Sequence, residues 1–150
     1  MGVLKYAAVL SACAWFVLAA VPSSADSPFS YALIRPSCAP WDGGAIEVTL
    51  TKESAQCSRT DGPYLAIGVW RGFPIHDGQE INFEPRTSVG FASQCAKAGD
   101  CERAESGKII FKKFQQGTGA SGHYELHFKG GRTLTGDFDA KWCNDRVVCG

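Results

Sequence analysis

Histidine and glutamate alternate in the stretch SGHYELHF, so that His123, Glu125 and His127 fall at every second position, and Asp137 and Asp139 repeat the spacing further on. Imidazole and carboxylate are good ligands for first-row transition metals and good proton carriers, so chemistry is sought here first. The spacing is not the H-E-x-x-H of a helical zinc site, because the glutamate sits at the second position. Side chains two apart share a face only on a β-strand. Along a strand they stand ~6.6 Å apart, which puts His123 and His127 ~13 Å apart and out of reach of one ion. The set that a hairpin could gather is therefore His123, Glu125 and Asp137, with His127 left out. Such a set would suit a small metal-binding protein or a metal-dependent hydrolase. The competing account requires no ligand, since one face of an antiparallel sheet is polar simply because water touches it. Asp137 and Asp139, also ~6.6 Å apart, match the carboxylate pair of an inverting glycosidase in distance alone. Ser121 lacks the glycine pattern and the strand-to-helix turn of a hydrolase nucleophile, and His76-Asp77-Gly78 reads as a turn.

A hairpin must position these residues. Tyr124, Leu126 and Phe128 line one face of its first strand; Leu134, Gly136, Phe138, Ala140 and Trp142 line one face of its second. A two-residue loop at Gly130-Gly131 would pair Phe128 with Thr133, setting the apolar face of one strand against the polar face of the other. A three-residue loop, Lys129-Gly130-Gly131, pairs Leu126 with Leu134 and Tyr124 with Gly136, so both apolar sets share a face. Gly131 supplies the left-handed residue that this loop requires. The opposite face then sets His123 across from Asp137, Glu125 across from Thr135 and His127 across from Thr133.

The same period of two recurs through the chain. Ile46, Val48 and Leu50 alternate with Glu47, Thr49 and Thr51, and Phe29, Tyr31 and Leu33 alternate in the first segment. Residues 64–70, YLAIGVW, are apolar on both sides, as in a central strand covered on both faces. Shorter strands are expected at 80–83, 87–92 and 107–114. Residues 92–105 alone tolerate a helix, and Gly99 interrupts them. Turn residues separate the segments at Trp41-Asp42-Gly43-Gly44, Asp61-Gly62-Pro63, His76-Asp77-Gly78 and QQGTGASG. About seven or eight short strands predict an all-β domain, an antiparallel β-sandwich or flattened barrel ending in a long hairpin.

Residues 1–25 carry the three parts of a secretory signal peptide: Lys5, an apolar run from 6 to 21, and the small residues Ser23 and Ala25 before the expected cut. The run falls short of the ~20 residues of a membrane span. Leu10-Ser11-Ala12-Cys13 has the look of a lipidation box. Cleavage there would leave an apolar AWFVLAAV on the mature protein, so the cut is placed after Ala25 and Cys13 leaves with the leader. Residues 26–150 are then one exported domain, secreted or periplasmic and not inserted into a membrane. Its six cysteines, Cys38, Cys57, Cys95, Cys101, Cys143 and Cys149, are an even set that predicts disulfides. Both close pairs are C-x5-C, so the spacing of structural zinc is absent. Local pairing is the first expectation: Cys38–Cys57, Cys95–Cys101 and Cys143–Cys149. The chain holds fifteen basic and fifteen acidic residues, and losing Lys5 leaves a charge of about −1. Neither a nucleic-acid partner nor an anionic membrane surface is drawn to such a balance.

Trp41, Trp70 and Trp142, with Tyr31, Tyr64 and Tyr124, are enough to line a binding groove. Tyr124 and Trp142 alternate with apolar neighbours and belong to the core. Trp41, in the turn APWDGG, is the one expected at the surface and is the candidate ligand-binding residue. The composition and motifs lead to an exported, non-enzymatic binding or interaction module for an unidentified ligand or protein partner, without a cofactor. A metal protein using His123, Glu125 and Asp137 is the alternative, and a structural envelope protein fits the same composition.

Overall fold

Alternation turns most of the chain into strands. The computed structural model describes residues 27–53, 56–57, 62–86 and 88–150; the expected signal peptide over residues 1–25, Cys13 included, lies outside them. Nine strands follow in order: β1 (Tyr31–Cys38), β2 (Gly44–Thr51), β3 (Tyr64–Val69), β4 (Gln79–Phe83), β5 (Gly90–Lys97), β6 (Asp100–Arg103), β7 (Ser106–Gln115), β8 (Gly119–His127) and β9 (Thr133–Trp142). They form one sheet in the order β4-β7-β8-β9-β1-β2-β3-β5-β6. Neighbours are antiparallel except β1 and β9, which run parallel. The expected antiparallel sandwich or flattened barrel of seven or eight strands is thus a single mixed sheet of nine, curled into a half-barrel. Its last strand returns beside its first, and a chain that ends in the direction it began makes a parallel pair. Among the described residues no helix is long and apolar enough to cross a membrane.

Curling follows from how the chain changes partners. Ala104 donates its backbone N–H to Ala92 of β5, and the next residue, Glu105, donates to His127 of β8. One ribbon therefore serves one end of the sheet through β6 and the other through β7. At the same end Arg132 bonds Gln94 Oε1 at 2.6 Å and Glu102 Oε2 at 2.5 Å, with its guanidinium 4.1 Å from the centre of the Phe128 ring. The stretch at 92–105 that tolerated a helix is the β5–β6 hairpin, held by the Cys95–Cys101 bridge across a turn at Gly99.

Ile46, Val48 and Leu50 of β2 enter the core with Leu65, Ile67 and Val69 of β3 and Ile109 and Phe111 of β7. The final hairpin has the register derived from its pattern, with Leu126 opposite Leu134, Tyr124 opposite Gly136 and His123 opposite Asp137. Phe128 and Arg132 close its three-residue turn, and Gly131 stands at φ +78°. Tyr124 is fully buried over Gly136, where a Cβ would come within 2.8 Å of its Oη. Its hydroxyl donates to Ser27 Oγ. Burial pushes the phenol pKa up, and the bond to Ser27 works the other way.

β1 departs from expectation. Ile34, not Leu33 with Tyr31, joins the core cluster. Leu33 is buried on the opposite face, and Tyr31 is half exposed. A strand with apolar residues on both sides does not declare its inward set by alternation. The disulfides depart too: Cys38 joins Cys149 and Cys57 joins Cys143, leaving Cys95–Cys101 as the one local bridge. The parallel β1–β9 pair is the reason. It brings the end of β1 beside the segment following β9, and Cys143 donates its N–H to the Ile34 carbonyl.

Candidate functional site

The outer face of β4, β7, β8 and β9 carries the polar row. His123 Nδ1 lies 3.2 Å from Asp137 Oδ1, and Lys112 Nζ reaches the same oxygen at 2.8 Å. Lys112 first and His123 second hold the Asp137 carboxyl below the usual carboxylate range. Glu125, the third member of the expected set, turns elsewhere: His127 Nε2 approaches it at 3.3 Å and Lys108 at 4.0 Å. His127 Nδ1 meets Thr133 Oγ1 at 3.2 Å. The sheet register explains the split, because Lys108 of β7 lies directly across from Glu125 and adds a cation to that row. Among the described residues no three His, Cys, Asp or Glu side chains gather around a common point. His123 and Asp137 meet, Glu125 joins His127 instead, and lysines occupy the carboxylates. Asp77 serves the fold: it accepts from Phe114 N at 2.8 Å and Lys113 Nζ at 3.0 Å, tying the turn before β4 to β7. Ser121 faces Asp139 across the hairpin.

The outer face of β1, β2, β3 and β5 is built differently. The register sets Arg35, Glu47, Gly68 and Phe91 in one row across four strands and Thr49, Ala66 and Ser93 in the next. Along β3 the small residues Ala66 and Gly68 therefore sit between Tyr64 and the residue after the strand, Trp70. Gly68 must stay small, because any Cβ there would overlap the Phe91 ring lying across it. A depression of about 490 Å³ results, with Arg35, Glu47 and Thr49 on one side and Phe91 and Ser93 on the other.

Hydrogen bonds organise one wall. Arg35 donates to Thr49 Oγ1 at 3.3 Å and to the Cys57 carbonyl at 3.5 Å, and Thr49 donates to Glu47 Oε1 at 3.2 Å. The Nε–H of Arg35 is buried and makes no hydrogen bond among the described residues, with Glu47 Oε1 3.7 Å away. The depression continues into aromatic rings. Phe91 packs on Trp70 at 5.5 Å, and Trp70 meets Trp41 edge to face at 6.0 Å. Trp41 is 45% exposed, as its turn position implied, and the Arg71 guanidinium lies 4.9 Å from its ring centre.

This arrangement can stack an apolar ligand face on a row of rings while offering hydroxyls, a carboxylate and a guanidinium N–H beside it. Of its members, sequence reasoning singled out Trp41 as the surface residue. Phe91, Arg35, Glu47 and Ser93 went unrecognised as a group because β3 pairs with β5 across the intervening β4, and no local pattern announces that pairing. Among known proteins, no family model matches the chain, and neither a curated protein nor a solved structure matches it.

Proposed function

We propose that this chain is an exported, non-enzymatic binding module that holds a saccharide on the outer face of β2, β3 and β5. Three disulfides fit an oxidising compartment, and the leader read from residues 1–25 supplies the route to secretion or to the periplasm. The observation that carries the reading is the continuity of the half-exposed Trp41 with Trp70, Phe91 and a depression bordered by Arg35, Glu47, Thr49 and Ser93. A sugar ring has an apolar face to lie on the aromatics and hydroxyls to accept from Arg35 and to exchange bonds with Glu47, Thr49 and Ser93. The polar row at His123, Glu125 and Asp137 offers no comparable vacancy, because its carboxylates are met by Lys108 and Lys112.

The test is retention of the protein, freed of its leader, on cellulose, chitin and purified peptidoglycan. Calorimetry with soluble fragments of whichever matrix retains it follows. Trp41→Ala is expected to weaken binding about tenfold or more, which corresponds to ~1.4 kcal/mol. The melting temperature should hold, since the residue is half exposed. Equal binding by Trp41→Ala and wild type, or no retention on any matrix, would refute the proposal.

A further inference from the structure

Where β1 and β9 end and β2 begins, a cavity of about 400 Å³ opens at the end of the half-barrel. Its walls include Pro36, Ile46, Phe73, Phe114, Trp142 and Val147, and none of the described residues lining it is charged. A chain of edge-to-face rings leads to it from the core. Phe138 meets Phe111 at 6.0 Å, Phe111 meets Phe114 at 5.7 Å, and Phe114 meets Trp142 at 6.3 Å. The first two are buried, and the last two are partly exposed and line the cavity. Facing them, Phe73 and Val147 are 45% and 41% exposed.

Both outer walls are tied down. The loop bearing Phe73 is held by Gln79, which donates to the Gly72 carbonyl at 3.0 Å and accepts from His76 N at 2.9 Å. The tail bearing Val147 is pinned by the Cys38–Cys149 bridge. A cavity with fixed, mainly apolar walls and few polar groups, here Ser37 and Gln116, has the character of a preformed small-molecule site.

We propose that this cavity is a binding site for a small uncharged aromatic molecule, separate from the depression on the outer face. The two share no lining residue. An aromatic guest continues the edge-to-face series that ends at Trp142, which is the favoured geometry for ring pairs. It is uncharged, because a buried charge would find no counter-ion among the walls and would forfeit its hydration. The volume lies low in the range of small-molecule sites, so the guest has no more than about three rings.

The experiment is a titration with N-phenyl-1-naphthylamine, an uncharged probe that fluoresces in apolar surroundings, displaced by 1-naphthol or by anionic 1-naphthoate. Saturable binding is expected, with displacement by naphthol and at least tenfold poorer displacement by naphthoate. Phe73→Asp and Val147→Asp each place a charge at an exposed wall position and are expected to weaken the probe at least tenfold. Trp41→Ala should leave it unchanged, which separates this site from the outer face. Should one aspartate variant fail to fold, the other carries the test. Non-saturable binding, unchanged affinity in both aspartate variants, or equal displacement by naphthoate would overturn the proposal. So would dimerisation through Phe73 and Val147 with no probe bound to the monomer.

Discussion

Removing the disulfides in pairs tests whether the long bridges are nested as the fold requires. In the chain-entropy treatment a loop of 111 residues (Cys38–Cys149) restricts the unfolded chain by about 4.8 kcal/mol. The 86-residue loop (Cys57–Cys143) gives about 4.6 and the 6-residue loop (Cys95–Cys101) about 2 kcal/mol. Because the second loop lies inside the first, closing either leaves only the stretches 38–57 and 143–149, together about 25 residues, for the other to close. The remaining bridge then contributes about 3.5 kcal/mol. Losing either long bridge alone is therefore expected to cost about 3.5 kcal/mol, and losing both about 8, more than twice the single loss. A small domain has ~5–15 kcal/mol in total, so the doubly opened chain sits at the margin of folding.

The assay is urea unfolding of Cys38→Ser/Cys149→Ser, of Cys57→Ala/Cys143→Ala, of their combination and of Cys95→Ala/Cys101→Ser, with bridges assigned by peptide mass mapping. Cys38→Ser/Cys149→Ser is the cleaner arm, because Cys143 is fully buried and its loss also removes packing. Strictly additive long-bridge losses, or a loss at Cys95–Cys101 equal to the others, would refute the nested account. Recovery of Cys143–Cys149 peptides would refute the fold that produces it.

Two further outcomes follow from local geometry. Gly136→Ala puts a methyl within 2.8 Å of Tyr124 Oη and should lower stability by about 1–3 kcal/mol in urea unfolding, whereas a wild-type midpoint would mean that the ring has room to move. Asp137 should titrate below ordinary aspartates by carboxyl NMR, and Lys112→Met should move its midpoint upward. A depressed carboxylate adds stability above its unfolded pKa and loses it as pH falls through the folded value. Asp137 is fully exposed, so the signature is the midpoint and not the unfolding curve. An unmoved midpoint would remove Lys112 as the cause.

The final hairpin could be read from its residues because one alternation, one glycine-bearing turn and one pair of apolar faces admit a single register. The exposure of Trp41 followed from its turn for a similarly local reason. β1 resisted because Leu33 and Ile34 are both buried, so hydrophobicity has no period to report. The long bridges resisted because they depend on β9 returning parallel to β1, a contact across most of the chain. The outer-face depression combined both difficulties: its rows need the β3–β5 pairing, and its floor is marked only by the small side chain of Ala66, with the Phe91 ring lying over Gly68.

The two outer faces differ in what they present to a ligand. On β7, β8 and β9 each carboxylate is engaged by two neighbours: Lys112 and His123 share Asp137, and Lys108 and His127 share Glu125. A ligand arriving there must displace exposed ion pairs that each contribute little, and the hollow beside Lys108, Glu125 and His127 holds about 290 Å³ against about 490 Å³ on the other face. On β2, β3 and β5 the register aligns small residues beneath a ring, and the buried Nε of Arg35 lies 3.7 Å from Glu47 Oε1. The saccharide proposal therefore rests on the rings and hydroxyls around the larger depression, whereas the histidine row that first suggested chemistry has its carboxylates engaged by Lys108 and Lys112.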